Sequence, residues 1–183
     1  YGFSRLRWPG RDKVFILVLV TMILPYQVTL VPQFLMFTKI GWIGTFLPLT
    51  VPCFFGNPFF IFLLRQFFTG IPQEISEAAR IDGAGEFKIF SRLIMPMAKP
   101  ALTTVAIFAF IRSWNDFLGP LVFLGKDSLY TLSLAASMLK SNLDPNWSIL
   151  LALGAVMILP VLILFFVMQK YFIQGIAMSG IKG

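Results

Sequence analysis

Residues 77–96 read Glu77-Ala78-Ala79-Arg80-Ile81-Asp82-Gly83-Ala84-Gly85-Glu86-Phe87-Lys88-Ile89-Phe90-Ser91-Arg92-Leu93-Ile94-Met95-Pro96, inside the longest charged interval of a mostly apolar chain. Hydrophobic residues make up 57% of the 183 positions and charged residues 13%, whereas soluble domains carry about 25% charged residues. One core cannot hide that much apolar surface, so the composition describes a polytopic membrane protein. The 21 Phe suit lipid-facing helices. The charged interval then reads as an extramembrane element between two pairs of membrane-length apolar segments.

The same composition excludes several function classes. The net charge is +7, but the basic residues cluster beside apolar spans, so membrane topology explains them and no nucleic-acid partner is read. There is no His, which removes the commonest general base and metal ligand. Cys53 is the only Cys and lies in an apolar run, so there is neither an intrachain disulfide nor a Cys-rich metal site. Catalytic residues and cofactors are therefore not assigned.

Residues 1–13 hold Arg5, Arg7, Arg11 and Lys13 against Asp12, with a turn at Pro9-Gly10. The chain begins Tyr1-Gly2-Phe3, without Met or a signal-peptide pattern, and a further N-terminal portion is expected ahead of it. Four spans are expected at about 14–38, 46–64, 101–124 and 148–169. Pro25 and Pro32 should kink the first. Its Gln27, Thr29 and Gln33 serve either interhelical hydrogen bonds or a pathway lining. Trp42 reads as an interfacial residue in the turn that follows.

Pro48, Pro52 and Gly56-Asn57-Pro58 break the second segment repeatedly. Freed carbonyls at such breaks need protein or a watery cavity, so this segment lines a cavity or packs against other helices. The third holds Arg112-Ser113-Trp114-Asn115-Asp116. Charges at membrane depth point to function, yet Arg112 and Asp116, four apart, are also placed to pair on one helix face. Asn57, Asn115 and Asp116 are the candidate pathway residues. Lys126 to Asn146, with Asp144-Pro145, reads as a polar extramembrane segment. Trp147 and Tyr171 read as interfacial anchors of the fourth span.

Four crossings place the N-terminus, the 65–99 loop and the C-terminal tail on one side. That side carries eleven Lys and Arg, the opposite loops three. By the positive-inside rule the first set, including 65–99 and the C-terminus, is cytoplasmic. Within 65–99, Pro72 suits the first turn of a helix, on which Ile75, Ala78 and Ala79 share one face. Asp82-Gly83-Ala84-Gly85 ends that helix. A second follows, with Phe87, Phe90 and Ile94 at i, i+3 and i+7, and its Phe87/Phe90 face is expected to brace the loop against the membrane helices.

Glu77-Ala78-Ala79, Gly83 after three intervening residues, then Leu93, Met95 and Pro96 at the correct distance resemble a cytoplasmic signature in the membrane subunits of ATP-binding-cassette importers. Leu and Met stand where the family has Ile and Leu. Arg7-Trp8-Pro9-Gly10-Arg11, Ser113-Trp114-Asn115-Asp116-Phe117, Tyr130-Thr131-Leu132 and Gln169-Lys170-Tyr171-Phe172-Ile173-Gln174-Gly175 are similar to the carbohydrate, maltose-type branch.

The resemblance covers essentially the whole chain and implies an all-α type I importer permease in the bacterial inner membrane. Such permeases have six spans, of which four are visible here. The resemblance further implies a second permease subunit, an ATPase dimer and an extracytoplasmic solute-binding protein as partners. It makes Glu77, Ala78, Ala79, Asp82, Gly83, Ala84 and Pro96 the ATPase-coupling residues. On that reading Ala78 and Ala79 supply a narrow face, Glu77 offers an acceptor to a basic residue, and Gly83 permits either a backbone geometry or a close approach. No phosphate-cradling Gly-rich loop with its Lys and Ser/Thr is present, so ATP hydrolysis falls to a partner. The alternative is an ion-coupled secondary transporter or channel, which predicts internal repeats and embedded charges. A membrane enzyme would need a nucleophile–base or metal cluster.

Overall fold

The computed structural model describes residues 1–141 and 146–179, the stretch 170–179 as backbone only. Asp144-Pro145, the Tyr171 side chain and the end of the tail lie outside the described residues. Among those described, the regular structure is helical throughout. The helices are α1 (Arg11–Val20), α2 (Tyr26–Lys39), α3 (Leu47–Thr50), α4 (Pro58–Gly70), α5 (Gln73–Ile81) and α6 (Glu86–Ile89). They continue as α7 (Met95–Met97), α8 (Lys99–Trp114), α9 (Leu118–Phe123), α10 (Leu132–Lys140) and α11 (Trp147–Ser179). Leu47–Gly70 and Trp147–Gln169 are long and apolar enough to cross a membrane. Two further bent pairs qualify if each is one span: Arg11–Ile23 with Tyr26–Lys39, and Glu86–Met97 with Lys99–Trp114. Leu151, Ile163 and Phe166 of α11 are 74%, 62% and 63% exposed, a surface suited to lipid or partner helices and not to water.

The breaks follow from particular residues. Leu24 is extended (ψ 117°) because the ring of Pro25 disfavours a helical residue before it; the first segment is therefore two helices. Gly56 (φ 89°, ψ 164°) adopts a conformation open essentially to Gly alone and separates the short turns at 47–55 from α4. The expected third span at 101–124 is interrupted: α8 stops at Trp114 and α9 starts at Leu118. Pro120 has no N–H for the Asp116 carbonyl and its ring would crowd that carbonyl, so one helix cannot run through both.

The chain packs as two units. The first gathers Tyr1–Leu24 and Asn57–Ala106 with the backbone of 170–179. Its core joins Phe68 and Ile71 at the end of α4, Ala79 of α5, and Ile89, Ile94 and Ala98 beyond. Ile89 and Ile94 are fully buried, each worth about 1.5–3 kcal/mol of transfer free energy. The second unit holds Pro25–Gly56 and Ile107–Gln169. There Phe37 stacks on Trp42 (5.5 Å between centroids) and meets Phe123 edge-on (5.4 Å). Trp42 is thus half-buried against Phe37 within the chain. Trp114 donates from its indole Nε1 to the Met157 carbonyl (3.0 Å). That carbonyl neighbours Val156, whose helical donor Pro160 removes, so α8 stitches a weakened stretch of α11.

Candidate functional site: the 73–96 element

The α5 helix starts after Pro72 (φ −53°, ψ 138°), which a proline ring favours. Ser76 and Ala79 are buried, Ile75 is half-buried, and Glu74, Glu77, Ala78, Ile81 and Asp82 face out. The two alanines thus divide. Ala79 packs into the first unit's core, while Ala78 lies on the open side, so the shared face expected for Ile75, Ala78 and Ala79 is not formed. Side chains three and four apart share a face, and the buried stripe is Ile75, Ser76 and Ala79. The Glu77 carboxylate has no hydrogen-bond partner among the described residues, which leaves its oxygens available.

The helix ends in a Schellman turn. Gly83 N–H donates to the Arg80 carbonyl (3.0 Å) and Ala84 N–H to the Ala79 carbonyl (2.9 Å). Gly83 has φ +77°, and a Cβ added there would meet nothing within 4 Å in this chain. Between the two roles open from sequence, the one visible here is backbone conformation. Across the turn, Arg80 Nε donates to Glu86 Oε1 (2.7 Å) and the Tyr1 hydroxyl donates to Glu86 Oε2 (2.6 Å). The hydrogen bonds from Arg80 and Tyr1 hold the Glu86 carboxyl below its usual value. Partial burial and the Glu86 contact push the Tyr1 phenol up to about 12.

Phe87 is 81% exposed, and so does not brace the loop against the membrane helices as expected; Ile89 and Ile94, both fully buried, do that instead. Phe90 is half-buried beneath Tyr1 (5.1 Å between ring centroids). Residues Phe90–Ile94 form a π-turn, which rotates the helix relative to a plain 3.6-residue repeat and upsets the i, i+3, i+7 face read from sequence. Pro96 is exposed on α7, and Glu86–Met97 meets Lys99–Trp114 at 75°. The outward surface of the element includes Glu77, Ala78, Ile81, Asp82, Gly83 and Phe87, with Glu74, Arg80, Lys88 and Arg92 also exposed. Ile81 (87% exposed) and Phe87 form the apolar part that sequence reading missed. Both large apolar side chains are thus offered outward on a charged element.

The three pathway candidates sit at helix breaks. Asn57 caps α4, accepting from the Phe59 N–H (3.0 Å). Asn115 donates from Nδ2 to the Ile111 carbonyl (2.9 Å), and its own carbonyl accepts from Ser133 Oγ (3.3 Å). Asp116 Oδ1 accepts from Gly119 N–H (3.2 Å) at the start of α9. No Arg112–Asp116 ion pair forms among the described residues, because the helix that would align them ends at Trp114. Each candidate thus has a local structural task.

Residues 2–178 match the family of binding-protein-dependent transport system inner membrane components. The chain belongs to that family. This permease is 36% identical, along its whole length, to the arabinooligosaccharides transport system permease protein AraQ of Bacillus subtilis, covering 65% of it. It is 35% identical, again along its whole length, to the osmoprotective compounds uptake permease protein GgtD of Synechocystis, covering 62% of it. A crystal structure of a bacterial ABC transporter involved in import of the acidic polysaccharide alginate matches 94% of the permease and 65% of the compared chain. The TM-score there is 0.81 at 27% identity. The permease therefore spans just under two thirds of these proteins' length. Its fold is the helical ABC permease fold, and the secondary transporter or channel reading is not favoured.

Proposed function

We propose that this chain is one of two membrane subunits of a bacterial ATP-driven carbohydrate importer and that it carries no hydrolytic chemistry itself. The 77–96 element docks an ATPase subunit through Glu77, Ala78, Ile81, Asp82, Gly83 and Phe87. Ala79 and Ala84 shape the element from behind, and Pro96, exposed on α7, lies at its far end. The single observation that carries this reading is the outward set of Glu77, Ile81 and Phe87 on a turn whose buried side is anchored to the membrane helices. A helix–turn–helix whose Glu77 carboxylate accepts no hydrogen bond among the described residues, with two apolar side chains beside it, fits a groove with one basic residue.

Closure of an ATPase dimer would draw this element towards that of the second permease and rock the spans between inward- and outward-facing states. The positive-inside count supports a cytoplasmic element and C-terminus. Spans at about 14–38, 46–64, 101–124 and 148–169 then cross the membrane, bent where the prolines break them. An extracytoplasmic solute-binding protein would deliver substrate to the opposite side. Asn57, Asn115 and Asp116 remain the polar groups proposed for the pathway, placed at breaks where backbone and water can meet. AraQ and the alginate transporter support a carbohydrate class; GgtD widens it to osmoprotective compounds.

Affinity purification of the tagged full-length chain from its native membranes, gently solubilised, tests the docking. An ATPase subunit and a second permease are expected to co-purify. The double variant Ile81→Glu, Phe87→Glu should lose the ATPase and keep the second permease. Retention of the ATPase at wild-type amounts would refute this docking face.

A further inference from the structure

Arg5 is 4% exposed and has no carboxylate partner among the described residues. Its guanidinium is spent on backbone instead. One terminal nitrogen donates to the carbonyls of Phe68 (3.4 Å) and Ile71. The other donates to the carbonyl of Pro72 (2.9 Å) and to Ser76 Oγ (2.7 Å). Those acceptors are the last turn of α4, the Ile71–Pro72 link, and the inward face of α5. The carbonyls at a helix C-terminus lack donors and carry partial negative charge, so a cation is welcome there. A planar fork with several donors serves these acceptors at once, which a Lys ammonium cannot reproduce. The Arg5 Nε is buried and finds no partner among the described residues. A charge this desolvated persists only because its other bonds are made.

The same short segment also grips the far end of the element. Tyr1 and Arg5 belong to one turn, closed by Ser4 N–H and Arg5 N–H on the Tyr1 carbonyl (3.1 and 2.9 Å). The Tyr1 ring lies against Phe68 and Phe90, and its hydroxyl reaches Glu86, the partner of Arg80. Arg65 of α4 donates from Nε to the Phe3 carbonyl (3.0 Å), bonds Asp12 (3.2 Å), and lies over the Phe15 ring of α1. Residues 1–5 therefore touch both ends of the 73–86 element and lead, through Arg7–Gly10, straight into α1.

We propose that Tyr1–Arg5 is a strap that carries displacement of the docking element to α1, with Arg5 as its positioning residue. Without the clamp, the Ile71–Pro72 link is a two-residue connection free to flex, and movement of α5 would be absorbed there. With it, α5, the end of α4 and the strap move as one piece. This rests on the docking reading above.

The test uses the full-length chain assembled with its ATPase and second permease in liposomes, reading ATP hydrolysis, substrate uptake and complex yield together. Arg5→Lys keeps the charge and loses the fork. It should leave complex yield and ATP hydrolysis near wild type while uptake per ATP falls about 2- to 30-fold, the range for residues that carry coupling between sites. Ser76→Ala and Tyr1→Phe each remove one bond of the strap, and each should lower the same ratio by less. Should Arg5→Lys fail to assemble, these two variants decide the matter. Unchanged uptake per ATP in normally assembled variants overturns the strap, as does a parallel fall in yield, hydrolysis and uptake, which marks a role in folding only. Absence of an ATPase from the wild-type complex overturns the docking reading itself and is seen before any variant is made.

Discussion

Gly83 offers the sharpest test, because its role here is conformational and not spatial. Its φ of +77° lies in the left-handed region, and a Cβ would meet nothing within 4 Å. A side chain therefore costs only backbone strain, about 1–2 kcal/mol for Ala. Asn tolerates this region and should cost less despite its larger side chain. The expected stability order is Gly, then Asn, then Ala, the reverse of an order by size for the last two. The strain falls on the two bonds that close α5, Gly83 N–H to Arg80 and Ala84 N–H to Ala79. A cost of about 1–2 kcal/mol raises the population of the open turn about 5- to 30-fold. Hydrogen exchange of the purified chain in detergent should show that acceleration at the Gly83 and Ala84 amides in Gly83→Ala, and less in Gly83→Asn. Equal exchange in all three, or an order that follows size, would refute the reasoning. The same variants separate a second effect in the assembled importer. If the ATPase approaches Gly83 closely, Asn will uncouple transport more than Ala, although it strains the turn less. Gly83→Asp, which adds charge at the same place, should likewise uncouple hydrolysis from transport while the protein stays in the membrane.

Ile94→Ala removes most of a fully buried side chain from the core under α5 and should lower stability by about 2–5 kcal/mol, read by thermal unfolding in detergent. Trp114→Phe keeps the ring on Phe110 but removes the indole donor to the Met157 carbonyl; about 0.5–1.5 kcal/mol should be lost in the same assay. The Glu86 carboxyl sits below its ordinary value of 4.5 in the folded state, so its contribution is complete above that pH and disappears as pH falls through the lowered folded value. Glu86→Gln should remove that acid-side dependence from hydrogen exchange of the 80–86 turn. Because Arg80 and Glu86 are both partly exposed, the change at neutral pH should be small.

Membrane residence and the helical class were legible because both depend on composition and on run length. The turn at Asp82–Gly85 was legible because Gly, Asp and Pro act on their own backbone. The faces were read less well. Ala78 and Ala79 are adjacent, and only packing shows that the second is buried and the first is not. Phe87 looked like an inward anchor by spacing, but the π-turn at Phe90–Ile94 changes the register, and Ile89 takes the core position. The Arg112–Asp116 pairing presumed an unbroken helix; Pro120 ends that helix early, and Asp116 caps the next one.

By itself, the sequence determined that this is a helical membrane protein with a charged element bearing a family signature, since those properties are local and survive without knowledge of neighbours. Tertiary structure alone decided which side of that element is open and what holds its other side. Arg5 looked like one of several basic loop residues, yet it bonds acceptors 63 to 71 positions away. Burial and hydrogen-bond partners at such separations arise from how distant helices meet, and no spacing rule within 1–13 contains them.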